Sequence, residues 1–251
     1  MEKDYIYGFM LADGNLSLYE RNRGKLSTEV NVRDADIVYK IDKILPGGFI
    51  HERIRSTNFK KEAYKSITYS NYLLEVRNSF LERGFPAGKK SSIANVPKDA
   101  YSDKDFWRGF IDGDGSIGYT KDNIPYISLG TISENLYQAF IKFLQEKFGI
   151  VKKLHRNKRD NFYNITLKNE DAINVATYLY EGATIYLERK YNKYLEIKKW
   201  KRIVKKVNQK SWSEDEDNYI TSHSIIESMA KLDRSEASIK MRLFRLKINN
   251  K

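Results

Sequence analysis

The chain contains no cysteine, which excludes a disulfide framework, a thiolate zinc site and a cysteine nucleophile. Histidine is scarce as well, and His51, His155 and His223 fit no metal-ligand spacing. No apolar run approaches the ~20 residues that span a membrane, and no basic-then-apolar leader opens the sequence. These absences predict a protein that is neither secreted nor embedded in a membrane and that suits a reducing cytoplasm.

Positive charge, by contrast, is in excess. Lys and Arg number 45 against 33 Asp and Glu, so the net charge is +12 and the pI is near 9.5. This balance favours a polyanionic partner. The 251 residues, 41% of them hydrophobic, suffice for one large domain or for a medium domain with a small appendage.

A two-fold internal repeat organises most of the chain. The segment IYGFMLADGNL aligns with WRGFIDGDGSI, so that Gly8 matches Gly109 and Asp13 matches Asp114. After each motif the pattern predicts a hairpin, an amphipathic helix, two more strands and a closing helix. The predicted fold class is therefore α+β, with two pseudo-symmetric αββαββα repeats. The predicted boundaries are repeat 1 at 1–84, a linker at 85–106, repeat 2 at 107–197, a basic tether at 198–210 and a separate block at 211–251.

Small residues recur four positions apart in both motifs, as Gly8 and Ala12 in one copy and Gly109 and Gly113 in the other. Two helices carrying such faces can approach each other closely, so we expect the two halves to pair through them. Each helix is expected to end at an Asp-Gly, where the glycine takes the left-handed conformation that stops a helix.

This arrangement predicts a metal site. Asp13 and Asp114 would adjoin at two helix C-termini, where repulsion between them and the helix dipoles destabilise both charges unless a cation binds. Oxygen donors without His or Cys select a hard ion such as Mg²⁺. A metal ion beside a DNA backbone supports phosphodiester hydrolysis.

The paired motifs IYGFMLADG and WRGFIDGDG resemble those of single-chain LAGLIDADG homing endonucleases, and the resemblance covers about residues 4–200. It implies that the motif helices form a pseudo-two-fold interface and that the eight strands form a saddle over the DNA major groove. It also implies that Asp13 and Asp114 are catalytic metal ligands and that Lys168, at the end of YNITLK, is a catalytic residue that polarises a water or balances phosphate charge. Asp112 is expected to have a lesser, structural role.

The saddle is expected to present basic side chains to bases and phosphates. The candidate DNA-binding residues of the two repeats are Arg21, Arg23, Lys25, Arg53, Arg55, Lys65, Lys121, Arg156 and Lys158.

Residues 211–251 differ in composition and show three short helical patterns. Ser213 and Glu216 form a capping box at the start of the first pattern. The block resembles Myb-like and other trihelical helix-turn-helix domains, in which the last helix enters the major groove. That resemblance makes Lys240, Arg242 and Arg245 the expected DNA contacts, and a packing or protein-interaction bundle is the alternative.

The sequence thus favours a monomeric, Mg²⁺-dependent endonuclease that cuts both strands of a long, asymmetric double-stranded DNA site. Its expected location is the cytoplasm or the DNA-containing compartment of the host. Two alternatives of the same fold stay open, an RNA-binding intron maturase and a non-catalytic transcription regulator. Intact Asp13 and Asp114 favour the enzyme over the regulator.

Overall fold

The computed structural model describes residues 2–45, 47–57, 60–153, 156–157, 159, 161–202 and 211–249, with side chains described outside 55–57, 60–64 and 248–249. The chain divides into two compact units, residues 1–202 and 203–251. Among the described helices, none is long and apolar enough to cross a membrane.

The first repeat has the predicted order αββαββα. Its elements are α1 (Glu2–Asp13), β1 (Gly14–Leu18), β2 (Gly24–Asn31), a short 3₁₀ turn (Val32–Asp34), α2 (Ala35–Ile44), β3 (Gly48–Thr57), β4 (Lys60–Asn71) and α3 (Leu74–Glu82). A buried arginine of α3, Arg77, fixes the β1–β2 hairpin, because its guanidinium donates to the carbonyl oxygens of Gly24, Asn22 and Tyr72. The closing helix therefore holds the hairpin that starts the sheet.

The second repeat has the same order but begins earlier than predicted. The Ser102 hydroxyl accepts a hydrogen bond from the Asp105 backbone N–H and caps α4, so the linker ends at residue 102 and not at 106. The elements are α4 (Asp103–Asp114), β5 (Ser116–Tyr119), β6 (Pro125–Thr131), α5 (Glu134–Phe148), β7 (Arg156–Asn157), β8 (Phe162–Lys168) and α6 (Asn169–Tyr180), followed by α7 (Glu188–Ile197).

Each repeat carries a four-stranded antiparallel sheet, in the order β1-β2-β4-β3 or β5-β6-β8-β7. Side chains alternate across the sheets. On one side of the first sheet, Leu16, Leu26 and Ile67 are fully buried. On the corresponding side of the second sheet, Leu129 and Leu167 are at most 1% exposed. The opposite side of each sheet, which we call the polar face, includes Ser27, Glu29 and Thr68 in the first sheet and Ser128, Gly130 and Asn164 in the second.

Helices α1 and α4 pack at very short range, as the small-residue spacing predicts. A Cβ atom at Gly8 would lie 2.2 Å from the Phe106 carbonyl oxygen, and one at Gly109 would lie 2.0 Å from the Tyr5 carbonyl oxygen. Backbone meets backbone at both points, so these positions admit only glycine. The two contacts are related by the internal repeat, which makes the interface pseudo-two-fold.

The expected left-handed glycines at the ends of these helices are wrong. Gly115 has a φ of −85°, and Gly14 is not among the described glycines with positive φ. Glycine is required there for space, because a Cβ atom at Gly14 would lie 2.6 Å from the Met10 carbonyl oxygen and one at Gly115 would lie 2.8 Å from that of Ile111. The chain thus leaves each helix by folding tightly back over its last turn.

Two segments tie the halves together crosswise. After α3, the Ala94 carbonyl oxygen accepts from the Ser133 hydroxyl at the start of α5, at 2.5 Å. After α6, Arg189 of α7 makes a bidentate pair with Asp34, which precedes α2, at 2.8 and 2.9 Å. Each half is therefore held at the start of its middle helix by chain that follows the other half.

The second unit contains three helices, as predicted: α8 (Glu214–Ser222), α9 (Ile225–Leu232) and α10 (Glu236–Asn249). The predicted capping box of Ser213 and Glu216 is present. Arg234 donates to Glu216 at 2.7 Å, and its guanidinium carbon lies 4.0 Å from the centre of the Trp212 ring. The core of the unit is small and includes Ile220 and Ile239.

Candidate active site and nucleic-acid interface

Asp13 and Asp114 end the two motif helices and are brought together by the helix interface. The Asp13 Cγ atom lies 3.5 Å from the position that a Cβ atom on Gly113 would take, so Asp13 abuts the residue before Asp114. Burial raises the pKa of Asp13 to about 6, and the charge of Asp114 contributes to the rise. Burial also raises the pKa of Asp114. The structure thus places the two predicted carboxylates close together in one partly buried site.

Two lysines that the sequence analysis missed lie behind these carboxylates. The Lys90 ammonium donates to the carbonyl oxygens of Leu11 and Ala12, at 2.5 Å each, at the end of α1. The Lys190 ammonium, buried in α7, donates to the carbonyl oxygens at the end of α4, at distances of 2.6 to 3.1 Å. Each lysine therefore neutralises the negative end of one motif helix.

Both lysines also act on the aspartates. Their charges lower the pKa values of Asp13 and Asp114 and so offset part of the effect of burial. Desolvation in turn lowers the pKa of Lys190 to about 8 and lowers the pKa of Lys90. The two carboxylates and the two lysines therefore form one coupled group of charges at the helix ends.

A signal for these lysines is present in the sequence. Lys90 follows Asp13 by 77 residues and Lys190 follows Asp114 by 76, so the repeat extends beyond its closing helices. Lys90 falls in the predicted linker and Lys190 in a helical stretch without a predicted function, because the predicted αββαββα unit ends at its closing helix.

Asp112 has the structural role expected for it. It is buried, and its carboxylate accepts hydrogen bonds from the hydroxyls of Tyr5 and Tyr180, at 2.7 and 2.6 Å, and from the Leu187 backbone N–H, at 2.8 Å. These bonds hold the segment before α7 against α4. Asp112 thereby helps to position Lys190 at the helix end.

The donor set at the helix ends fits a hard divalent cation. Asp13 and Asp114 offer oxygen ligands, and burial raises the pKa of each, so a bound cation would stabilise their charged forms. Among the described residues there is no group of three or more His, Cys, Asp or Glu that could enclose an ion. The two carboxylates would thus supply part of a coordination shell, as is common for Mg²⁺, which retains waters and binds phosphate oxygens.

Lys168 lies on the polar face of the second sheet, at the end of β8 opposite Tyr126. It is exposed, and it is not among the cations that shift the pKa values of Asp13 and Asp114. The catalytic role predicted for Lys168 stays a prediction, and its position suits contact with a ligand on the polar face.

The other predicted DNA contacts of the first unit whose side chains the structure describes fall into three groups. Lys25 and Arg53 lie on the polar face of the first sheet, and Arg21, Arg23 and Lys121 lie in the turns of the two hairpins. Lys65 and Arg156 have the register of the core side, where Lys65 pairs with Ile54 and Arg156 stacks on the Tyr163 ring. Lys158 and the side chain of Arg55 lie outside the described residues.

In the second unit, two of the three predicted contacts make ion pairs. Arg242 makes a bidentate pair with Asp217 at 2.7 and 2.5 Å, which fixes α10 to α8. Lys240 pairs with Glu236 at 2.6 Å on the exposed surface, and Arg245 is exposed. The structure therefore gives Arg242 a packing role that the sequence did not indicate.

The comparisons with known proteins agree with this architecture. Residues 103–193 match the family described as LAGLIDADG-like domain. Among solved structures, I-SmaMI bound to an uncleaved DNA target in the presence of calcium ions has a TM-score of 0.50 and 12% identity, with 78% of this chain and 89% of that chain covered. The homing endonuclease I-WcaI bound to its DNA recognition sequence has a TM-score of 0.51 and 18% identity, with 77% and 85% covered.

No curated protein sequence matches the chain at a significant level. The family match covers the second repeat, and each of the two solved structures covers more than three quarters of this chain. The chain therefore contains a LAGLIDADG-like domain and has the fold of LAGLIDADG homing endonucleases.

Proposed function

We propose that the protein is a site-specific endonuclease that binds a long, asymmetric double-stranded DNA site as a monomer and hydrolyses both strands. The observation that carries this proposal is the pairing of Asp13 and Asp114 at adjoining helix ends, each backed by its own lysine. The chain contains two pseudo-equivalent pairs, each of one aspartate and one lysine, and a DNA duplex has two strands to cut. The two solved structures compared above are DNA complexes, which supports the choice of substrate.

Asp13 and Asp114 would hold the divalent metal, Mg²⁺ in our proposal, together with phosphate oxygens of the DNA. Such a metal supplies a Lewis acid for the phosphate and a stronger nucleophile at neutral pH. Lys90 and Lys190 add positive charge close to both carboxylates and keep them ionised near neutral pH. They also cancel the negative ends of α1 and α4, which would otherwise repel an approaching phosphate.

The test is cleavage by Asp13→Asn and Asp114→Asn. Each substitution keeps the side-chain shape but removes a charged metal ligand, so we expect double-strand cleavage to fall by at least ~100-fold while DNA affinity in calcium changes little. Asp122→Asn, in the exposed β5–β6 turn, is the matched control and should cut normally. Full cutting by either active-site variant contradicts the mechanism.

The assay also separates the alternatives. Specific DNA binding by the wild-type chain without cutting in any divalent metal points to a transcription regulator. Binding to intron RNA together with splicing activity points to a maturase.

We propose further that the second unit is a helix-turn-helix that extends the DNA contact. Helices α9 and α10 are joined by the short turn 233–235, as such motifs require. Lys240 and Arg245 are exposed on α10 and are the proposed phosphate contacts, whereas Arg242 would have to leave its pair with Asp217 to reach DNA.

Truncation at residue 208 tests this assignment. The shortened chain should still cut at saturating concentration, since both carboxylates lie in the first unit. It should bind more weakly and with a shorter footprint, and each lost phosphate contact should lower the slope of log affinity against log salt by about 0.9. If the footprint and the salt slope are unchanged, the second unit is not a DNA-binding domain, and the packing or protein-interaction role is the remaining explanation.

A further inference from the structure

The edge strand β3 carries two exposed side chains of matched chemistry on the polar face of the first sheet. His51 pairs in register with Thr68 of β4, and Arg53 pairs with Ser66. Ser66 precedes the buried Ile67 and so shares the polar face with Thr68. Ser66 and Thr68 are small and buried, whereas His51 and Arg53 are exposed. The two β3 side chains therefore project beyond the middle strand, toward a ligand that lies on this face.

A hydrogen bond fixes the arginine to the histidine. The Arg53 Nε–H donates to the His51 Nε2 atom at 2.8 Å. Because a guanidinium only donates, His51 Nε2 is the acceptor and the ring carries its proton on Nδ1. The bond uses one of the five N–H groups of an arginine, so those on the two terminal nitrogens remain for a ligand. In the part of the chain that the structure describes, no carboxylate pairs with Arg53.

The second repeat lacks the arginine of this pair. In the register of the two sheets, Ser66 corresponds to Phe162. Their partners on the outer strands are Arg53 and Asn157, so an asparagine takes the place of the arginine. The counterpart of His51 is residue 155, which lies outside the described residues. The outer strands of the two sheets therefore present different chemistry at the same place in the repeat.

We propose that Arg53, held by His51, selects a guanine in the half-site that the first repeat binds. This inference rests on the proposed function, in which the polar faces contact DNA. In the major groove guanine presents two neighbouring acceptors, N7 and O6, and an arginine donates to both at once. Adenine has a donor in place of O6, cytosine presents only a donor, and thymine has one acceptor beside a methyl group. Asparagine has no guanidinium fork, so this selection belongs to one half-site.

His51 acts through Arg53 and is a positioning residue. A long side chain loses rotational freedom when it binds, and one that is already held in place loses less. The pair also lies away from the carboxylates, since β3 is three strands from β1, which follows Asp13, or about 14 Å at ordinary strand spacing. His51 and Arg53 should therefore affect binding and sequence preference and leave the cleavage step unchanged.

Selection of bound duplexes from a randomised library in calcium tests the inference and the proposed function together. The wild-type chain should enrich a site with guanine at the position that Arg53 contacts. Arg53→Gln should shift this position from guanine to adenine, because a glutamine pairs with the adenine N6 and N7 atoms. Its affinity for the wild-type site should fall roughly five- to 150-fold. The single-turnover cleavage rate at saturating protein should stay at the wild-type value.

Two variants of His51 test the positioning role. His51→Leu removes the acceptor and should weaken the guanine preference roughly two- to tenfold. His51→Gln offers an amide oxygen near the place of Nε2 and should keep most of the preference. Glu52→Gln is the matched control, because Glu52 lies between the pair but has the register of the core side, opposite Ile67. It should leave the preferred sequence unchanged, and thermal unfolding should show that all variants are folded.

The outcomes separate the inference from the proposed function. If the wild-type chain enriches no sequence, the proposed function fails and the inference fails with it. If the wild-type chain enriches a site but Arg53→Gln keeps its guanine, only the inference is overturned. A loss of affinity that is equal for all sequences, with a salt slope lower by about 0.9, would then identify Arg53 as a phosphate contact. If Arg53→Gln selects adenine but His51→Leu keeps the full guanine preference, the positioning role of His51 is overturned.

Discussion

Gly109→Ala is expected to be strongly destabilising, although alanine is the better helix former. The added Cβ atom would lie 2.0 Å from the Tyr5 carbonyl oxygen and 2.9 Å from the Phe9 backbone nitrogen. Ordinary contact begins at 3.4 Å, and both obstacles are backbone atoms, so α1 and α4 would have to separate by about 1.4 Å. Such a separation opens the packing of Phe110 and its neighbours along the whole interface.

The size of the effect follows from two opposing contributions. Overpacking a core typically costs about 1–3 kcal/mol, and a clash between two backbones belongs at the upper end. Replacing glycine inside a helix returns about 1 kcal/mol. We therefore expect a net loss of about 2 kcal/mol or more in the free energy of unfolding of the first unit. Asp13 and Asp114 would also move apart, so cleavage should decline in the fraction that remains folded.

Urea unfolding followed by far-UV circular dichroism measures this loss. Gly118→Ala is the matched control, because the nearest atoms to its added Cβ atom would lie at 3.7 Å, an ordinary contact distance. The control should unfold at nearly the wild-type urea concentration, and Gly109→Ala should unfold at a clearly lower one. Coincident transitions of Gly109→Ala and the wild-type chain would refute the argument that backbone contact sets the helix spacing.

Three further outcomes are expected. Lys190→Met should lower the free energy of unfolding by about 3 kcal/mol, because the buried carbonyl oxygens at the end of α4 lose their donor, and an unchanged urea midpoint would contradict this. Burial alone would raise the pKa of Asp34, but the hydrogen bonds and charge of Arg189 lower it below its usual value of 3.8. The pair with Arg189 therefore stabilises the fold above pH 3.8. The destabilisation caused by Asp34→Asn should be full at pH 7 and should shrink as the pH falls below about 3.8. A destabilisation that does not change with pH would count against the ion pair. Arg242→Ala should lower the melting temperature of the second unit through loss of the pair with Asp217, so equal melting of this unit in variant and wild type would exclude a packing role.

The sequence by itself determined the repeated architecture and the positions of the two aspartates. Helix and strand periodicities are local, so the order αββαββα and the span of α5 could be predicted from neighbouring residues. The alignment of the two motifs then predicted the close helix interface, because a pair of small residues in each copy leaves room for the other backbone.

The tertiary structure decided which distant side chains complete the site. Lys90 and Lys190 reach the helix ends from segments about 80 residues away along the chain, and their hydrogen bonds to backbone carbonyl oxygens leave no local sequence pattern. The register of the strands decided that Lys65 lies on the core side, since a shift of one residue exchanges the two faces.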